Sequence, residues 1–211
     1  MGKGKVTCRV SARNLVVVAL GAYYFFARPQ LRKWGTRLGE AQRRLPGDEH
    51  IPHPNFETTH AVNIDAPPEA IWPWIAQMGR ALTGYYGLDV LKNQGIPSVN
   101  FLRQDLEPPQ VGQSMDGGFQ ILAVEPGRLL VFGGFNLSLP LRHHQDVTYA
   151  YLLERRRDGS TRLLVRRRGY GYGPLASLFN LGLELLHFAF MFQQLARLKA
   201  YGEKHAHLGH H

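Results

Sequence analysis

The sequence predicts an α+β domain in which an antiparallel sheet packs against one long C-terminal helix. Four segments combine β-branched and aromatic residues with apolar and polar alternation, and turn signals separate them. No long helical pattern lies between these segments, which favours antiparallel pairing. A last pattern of helical period begins at Pro174 and ends near Lys204, and a helix of that length, about 45 Å, crosses a whole sheet. The predicted strands are 119–124, 128–132, 147–154 and 161–168.

The N-terminal segment is the first element, and it predicts a membrane anchor. Leu15–Ala27 is apolar without interruption, and Arg13 and Arg28 flank it. A helix over this run reaches about 20 Å, short of the ~30 Å hydrocarbon core, so a tilted or membrane-thinning helix is expected. A cleaved signal peptide and a soluble helix remain alternatives. Cations are more numerous after the run than before it, which predicts a membrane location with the domain on the cytoplasmic side.

Positive charge is concentrated near the N-terminus. The formal net charge is +9, and Glu40 alone opposes the cations that precede Pro46. Their position beside the apolar run favours an anionic membrane surface over nucleic acid, which is not expected as a partner. Cys8 is the single cysteine, so no intrachain disulfide and no cysteine-based zinc site can form. The cations are Lys3, Lys5, Arg9, Arg13, Arg28, Arg32, Lys33, Arg37, Arg43 and Arg44.

The middle of the chain contains a strand followed directly by a helix. Residues 61–65 alternate apolar and polar side chains, which is typical of a half-buried strand. Pro67 and Pro68 end this strand and suit the first turn of a helix, which Pro73 should shorten or kink. A second short helix is expected over 85–93. The segment before the strand is rich in proline, glycine and charge and predicts a connector.

The two last predicted strands have distinct faces. Val147, Tyr149, Tyr151 and Leu153 share a large apolar face that should point at the helix. In the final strand Leu163, Val165 and Arg167 share one side, whereas Arg162, Leu164, Arg166 and Arg168 share the other. The seven arginines between 155 and 168 predict a solvated basic face. Alternatively, Arg166 or Arg168 meets an acidic ligand group, since a guanidinium offers a fixed fork of donors.

Several stretches together resemble a known superfamily. They read IDAPPEAIWPWIAQMG, TGYYGLDVLKN, VTYAYLLE and STRLLVRRRG. They are similar to the START-like (SRPBCC) superfamily, in its polyketide cyclase/dehydrase-like branch, and the 34–49 segment resembles membrane-anchored members. The resemblance covers about 34–203, with Tyr149 where the branch usually has Trp. It implies a helix-grip fold, in which a curved antiparallel sheet wraps a long C-terminal helix and encloses an apolar cavity.

The resulting domain organisation has four parts. Residues 1–33 form the basic N-terminus and anchor helix, 34–57 a linker, 58–204 the START-like domain and 205–211 a histidine-rich tail. No metal or cofactor site is predicted. His143 and His144 are adjacent on a strand and therefore point to opposite faces, so with Asp146 they do not make a shared metal site.

The predicted function is binding of a lipid or other small hydrophobic molecule in the cavity. An enzyme of the cyclase or dehydrase-like kind, using Asp89 and a cavity tyrosine for proton transfer, is the second hypothesis. A scaffold whose cavity is filled by core side chains is the third. The sequence favours binding over catalysis and does not predict an oligomeric state. The expected lining is Trp72, Trp74, Tyr85, Tyr86, Asp89, Tyr149, Tyr151, Arg166 and Phe190.

Overall fold

The computed structural model describes residues 12–88, 95–139, 143–172 and 176–208. The helices are α1 (Ala12–Ala22), α2 (Arg28–Arg32), α3 (Pro68–Gln77) and α4 (Ala176–Leu208). A π-helical turn (Tyr23–Ala27) joins α1 to α2, and a short 3₁₀ helix spans Asp48–His50. The strands are β1 (Phe56–Ile64), β2 (Ser114–Met115), β3 (Phe119–Glu125), β4 (Leu129–Leu139), β5 (His143–Arg155) and β6 (Thr161–Tyr172).

The strands form one curved antiparallel sheet in the order β1-β6-β5-β4-β3-β2. The first strand, β1, lies at one edge of the sheet, next to the last strand, β6. All of β1 pairs with β6, from Phe56 opposite Gly169 to Ile64 opposite Thr161. All five predicted strands are confirmed, and most extend further than the pattern indicated. The predicted C-terminal helix is confirmed as α4. The architecture is therefore α+β, with a long helix against one face of the sheet.

Helix α3 follows β1 directly, as the proline pair predicts. Pro68 occupies the first turn, where a missing N–H is tolerated, and Pro73 lies inside the helix, which ends after three turns at Gln77. The Trp74 ring stacks on Tyr201 at 4.5 Å and so ties α3 to the C-terminal half of α4. Residues 85–88 are not helical, and the rest of the expected second helix, 89–93, lies outside the described residues.

The inner face of the sheet and α4 enclose the main core. Val147, Tyr149, Tyr151 and Leu153 are all buried in it, which confirms the predicted apolar face of β5. Leu163 and Val165 of β6 belong to the same core. Residues Leu195 and Leu198 of α4 are completely buried, whereas Leu185 is exposed. The C-terminal half of α4 therefore packs more closely against the sheet and α3 than the N-terminal half does.

The segment predicted as a linker packs on the outer face of the sheet. Leu45 is buried there against Leu129, Val131, Ala150 and Leu152. Gly47 has φ +96°, and a Cβ at this position would lie 2.8 Å from Val131 Cγ1, so both the backbone and the space require glycine. The sheet is therefore covered on both faces along this stretch.

The outer face of β6 differs from the solvated basic surface that its arginines predicted. Arg166 is buried: its Nη1 lies 2.7 Å from Asp48 Oδ2, and its Nε donates to Thr59 Oγ1. Arg162 is also buried and forms two hydrogen bonds to Glu40, of 2.6 and 3.0 Å. The prediction is wrong for these residues because the 35–51 segment brings carboxylates onto them. Arg155 and Arg157 do face solvent.

The prediction of a membrane anchor at Leu15–Ala27 is wrong. Within the described ranges, no helix has both the length and the apolar character needed to cross a bilayer. The apolar run is too short for the ~30 Å hydrocarbon core. The run ends at Arg28, whose Nε lies 2.8 Å from Glu184 Oε2, so α2 is held against α4 by an ion pair. The predicted membrane location rested on that anchor and is wrong for the same reason.

Candidate functional site

A cavity of about 320 Å³ lies between the inner face of the sheet and the first half of α4. We call it the sheet–helix cavity. Its aromatic wall is formed by Tyr85, Phe119, Tyr149 and Phe190. Its aliphatic wall is formed by Leu88, Leu137, Val147 and Leu186. The volume lies within the range of small-molecule sites, and the mostly apolar lining is typical of them.

The cavity ends in a narrower recess of about 30 Å³, which Phe132 and Tyr151 close. The Tyr151 hydroxyl donates to Gln194 Oε1 at 2.8 Å, and Gln194 Nε2 donates to the Tyr85 carbonyl at 2.6 Å. Gln194 therefore joins the sheet, α4 and the loop after α3 at the inner end of the cavity. Phe132 stacks on both Tyr149 and Tyr151, so the three rings pack together at this end of the cavity.

Two of the cavity tyrosines, Tyr85 and Tyr151, donate hydrogen bonds from their hydroxyl groups. Burial raises the pKa of Tyr85 and of Tyr151 above the ordinary value. The Tyr85 hydroxyl donates to the Asp116 carbonyl at 2.5 Å, so this proton has a fixed acceptor. Neither hydroxyl is prepared to act as a base, which would need a lowered pKa.

Four polar side chains also line the cavity: Ser138, Gln145, Arg167 and His187. Gln145 is more than nine-tenths buried, and its Oε1 has no hydrogen-bond partner among the described residues. Arg167 lies directly opposite Tyr149 across the β5–β6 pair. Its guanidinium carbon lies 4.2 Å from the centre of the Phe56 ring, a cation–π distance. Polar groups are thus placed at a few points on an apolar wall.

The buried His60 is next to this polar group and is neutral at pH 7. Burial chiefly, and then the charge of Arg167, lower its pKa to about 4. Its Nε2 lies 2.9 Å from the Leu31 carbonyl, and a neutral ring with its proton on Nε2 donates there. Among the described residues that line the sheet–helix cavity, Arg167 is the one whose side chain is charged at every physiological pH.

The structure brings together part of the lining that the sequence predicts. Tyr85, Tyr149, Tyr151 and Phe190 line the cavity or its recess. The other predicted residues lie elsewhere: Trp74 and Tyr86 are in the core beside Tyr201, Trp72 lines a surface groove behind α3, and Arg166 points to the outer face. Asp89 lies outside the described residues, so its proposed role in proton transfer stays a prediction.

Sequence reasoning missed Arg167, Gln145 and His187 as lining residues. A signal was present for two of them. Arg167 follows Leu163 and Val165 at alternate positions, and Gln145 precedes Val147 and Tyr149 in the same way, so each extends an apolar face. A polar residue at the end of such a face marks the place where the core opens to the cavity.

Among the described residues, two further depressions of similar size lie on the surface. One, of about 310 Å³, is lined by charged residues of α2 together with Glu57. The other, of about 410 Å³, lies between α3 and residues 102–109. Neither is enclosed between the sheet and α4. In the part of the chain that the structure describes, no group of His, Cys, Asp and Glu is placed to hold a metal ion.

Comparison with known proteins supports the assignment of the fold and does not identify a function. No family model matches the sequence, and no curated protein matches it either. The hypothetical protein jhp0584 of Helicobacter pylori superposes with a TM-score of 0.52 at 14% identity, over 75% of this chain and 95% of that one. This likeness shows a shared fold. The sheet and C-terminal helix are compatible with the START-like fold that the sequence resembles.

Two other solved structures match less closely. Protein MLL2253 of Mesorhizobium loti is 19% identical over 71% of this chain and 98% of its own, with a TM-score of 0.45. DynU16, from the dynemicin biosynthetic locus, is 18% identical over 70% of this chain and 47% of its own, with a TM-score of 0.40.

Proposed function

We propose that this protein binds a small, largely apolar molecule in the sheet–helix cavity. The cavity itself is the observation that carries the proposal: about 320 Å³ of space, walled mainly by aromatic and aliphatic side chains. At the volume that water occupies in the liquid, this space corresponds to about ten water molecules. A ring system or a single medium-length chain fits such a space, whereas a two-chain lipid does not.

The placement of the large core residues supports binding over a filled scaffold. A scaffold requires Trp72, Trp74 and Phe190 to fill the space. Trp74 instead stacks on Tyr201, and Trp72 lines the surface groove behind α3. Phe190 forms one wall and leaves the space beside Val147 and Tyr149 open. An apolar space of this size loses packing contacts for its lining unless a ligand supplies them.

A cavity-blocking variant tests the proposal. Val147 is buried and faces the cavity, so Val147→Phe should occupy the space that a ligand needs. We expect the wild type to bind the neutral fluorescent probe N-phenyl-1-naphthylamine with one-to-one stoichiometry, and Val147→Phe to weaken binding by about tenfold or more. The measurement is a fluorescence titration, with circular dichroism to establish that the variant is folded.

The matched control is Gln104→Phe, which adds the same ring to the groove between α3 and residues 102–109. This control should bind the probe like the wild type. The proposal fails if the wild type does not bind the probe, or if folded Val147→Phe binds it with unchanged affinity.

A further inference from the structure

We infer that the ligand of the sheet–helix cavity carries a carboxylate, which Arg167 binds while the apolar walls hold the rest of the molecule. This inference rests on the proposed function, since it names the class of ligand for the same cavity. It is carried by the charge pattern of β6, by the support under the Arg167 guanidinium and by the unsatisfied amide of Gln145.

The charge pattern of β6 sets Arg167 apart from its neighbours. The arginines on the outer face all meet carboxylates: Arg162 pairs with Glu40, Arg166 with Asp48, and Arg168 with Glu57. Arg167 points to the inner face, and no described acidic residue forms an ion pair with it. Its Nε is buried and has no hydrogen-bond partner within the described ranges. A partly buried cation without a counter-charge is costly, and an anionic ligand would remove that cost.

The guanidinium is also held in place before any ligand arrives. The Phe56 ring lies under Arg167, and it occupies the space that a side chain at position 169 would fill. A Cβ on Gly169 would lie 1.9 Å from Phe56 Cζ, so glycine is what allows the ring to lie there. Because the ring covers a face of the guanidinium, the N–H groups in its plane stay available to a planar acceptor such as a carboxylate.

Gln145 provides a second polar contact on the same wall. It lies on the inner face of β5, two positions before Val147 and four before Tyr149. Its buried carboxamide oxygen has no described partner, and rotation of the amide exchanges oxygen for NH₂, so the group can donate to one ligand oxygen or accept from another. Tyr149, directly opposite Arg167, adds a third polar group to the lining of the cavity. The ligand implied is a small amphipathic acid.

The test compares two probes that differ in charge and hardly at all in shape: 2-naphthoate and its neutral amide, 2-naphthamide. Each competes with N-phenyl-1-naphthylamine at pH 7.5. We expect the wild type to prefer the acid by about ten- to a hundredfold, the range for a hydrogen bond to a charged group. Arg167→Gln should remove this preference, and Arg167→Lys should retain part of it.

The controls separate charge at the site from charge in general. Arg157→Gln removes the same charge from an exposed position and should keep the preference for the acid. Gln145→Met should lower the affinity for both probes, because it removes a polar contact that does not depend on the charge of the ligand. Equal binding of acid and amide by the wild type overturns the inference and leaves the proposed function standing. A preference that persists in Arg167→Gln also overturns it. Failure of N-phenyl-1-naphthylamine to bind overturns the proposed function itself.

Discussion

At the scale of single residues, the hydroxyl of Tyr151 is expected to stabilise the closed end of the cavity. It donates to Gln194 Oε1, and Gln194 is completely buried. Tyr151→Phe leaves that oxygen without a donor, so we expect a loss of about 1–2 kcal/mol in the free energy of unfolding. Urea denaturation followed by circular dichroism measures this loss.

Tyr149→Phe is the matched control, because it makes the same change two residues away on the same face of β5. No described residue accepts or donates a hydrogen bond at the Tyr149 hydroxyl, which faces the cavity. Its removal should change stability by less than about 0.5 kcal/mol. Equal losses in the two variants would contradict the role assigned to Gln194.

At the scale of elements, the 35–51 segment is expected to depend on its buried ion pair with β6. Asp48 lies 2.7 Å from Arg166 and also accepts a hydrogen bond from the Leu45 amide. Asp48→Ala leaves a buried guanidinium without its counter-charge, which costs about 3–5 kcal/mol. Glu125→Ala removes an exposed partner of Arg128 and should cost less than about 1 kcal/mol. Urea denaturation measures the loss of unfolding free energy in both variants. Similar losses in the two would show that this ion pair does not hold the 35–51 segment on the sheet.

The same element shows which part of the fold local sequence could predict. Alternation along β5 and β6 correctly separates the inner residues, such as Tyr149 and Val165, from the outer ones. It could not predict that Arg166 is buried, because that depends on Asp48, which is distant along the chain. The cavity lining likewise contains residues that the local sequence could predict and residues that it could not. Tyr149 follows from the period of its strand, whereas the position of Trp74 depends on how α3 packs against Tyr201.

At the scale of the whole molecule, the two halves of α4 differ in how closely they pack against the rest of the protein. In the second half Leu195 and Leu198 are fully buried, and a Cβ on Gly202 would lie 2.7 Å from Ile71 Cγ1. In the first half Leu185 is 53% exposed, and a Cβ on Gly182 would meet no atom within 4 Å. Glycine without close packing weakens a helix by roughly 1 kcal/mol relative to alanine. The half with less support is the one that covers the sheet–helix cavity.

This difference predicts where the molecule opens to admit a ligand. Local opening favours segments with few buried contacts, so amides of 181–189 should exchange hydrogen faster than those of 191–202. If the cavity is lost on opening, N-phenyl-1-naphthylamine at a hundred times its dissociation constant should slow exchange in 181–189 by up to about a hundredfold. Hydrogen exchange with mass spectrometry measures both, and Val147→Phe with the same probe concentration should show no slowing. Slowing confined to 191–202 would place the entrance elsewhere, since the second half of α4 would then be the part that moves.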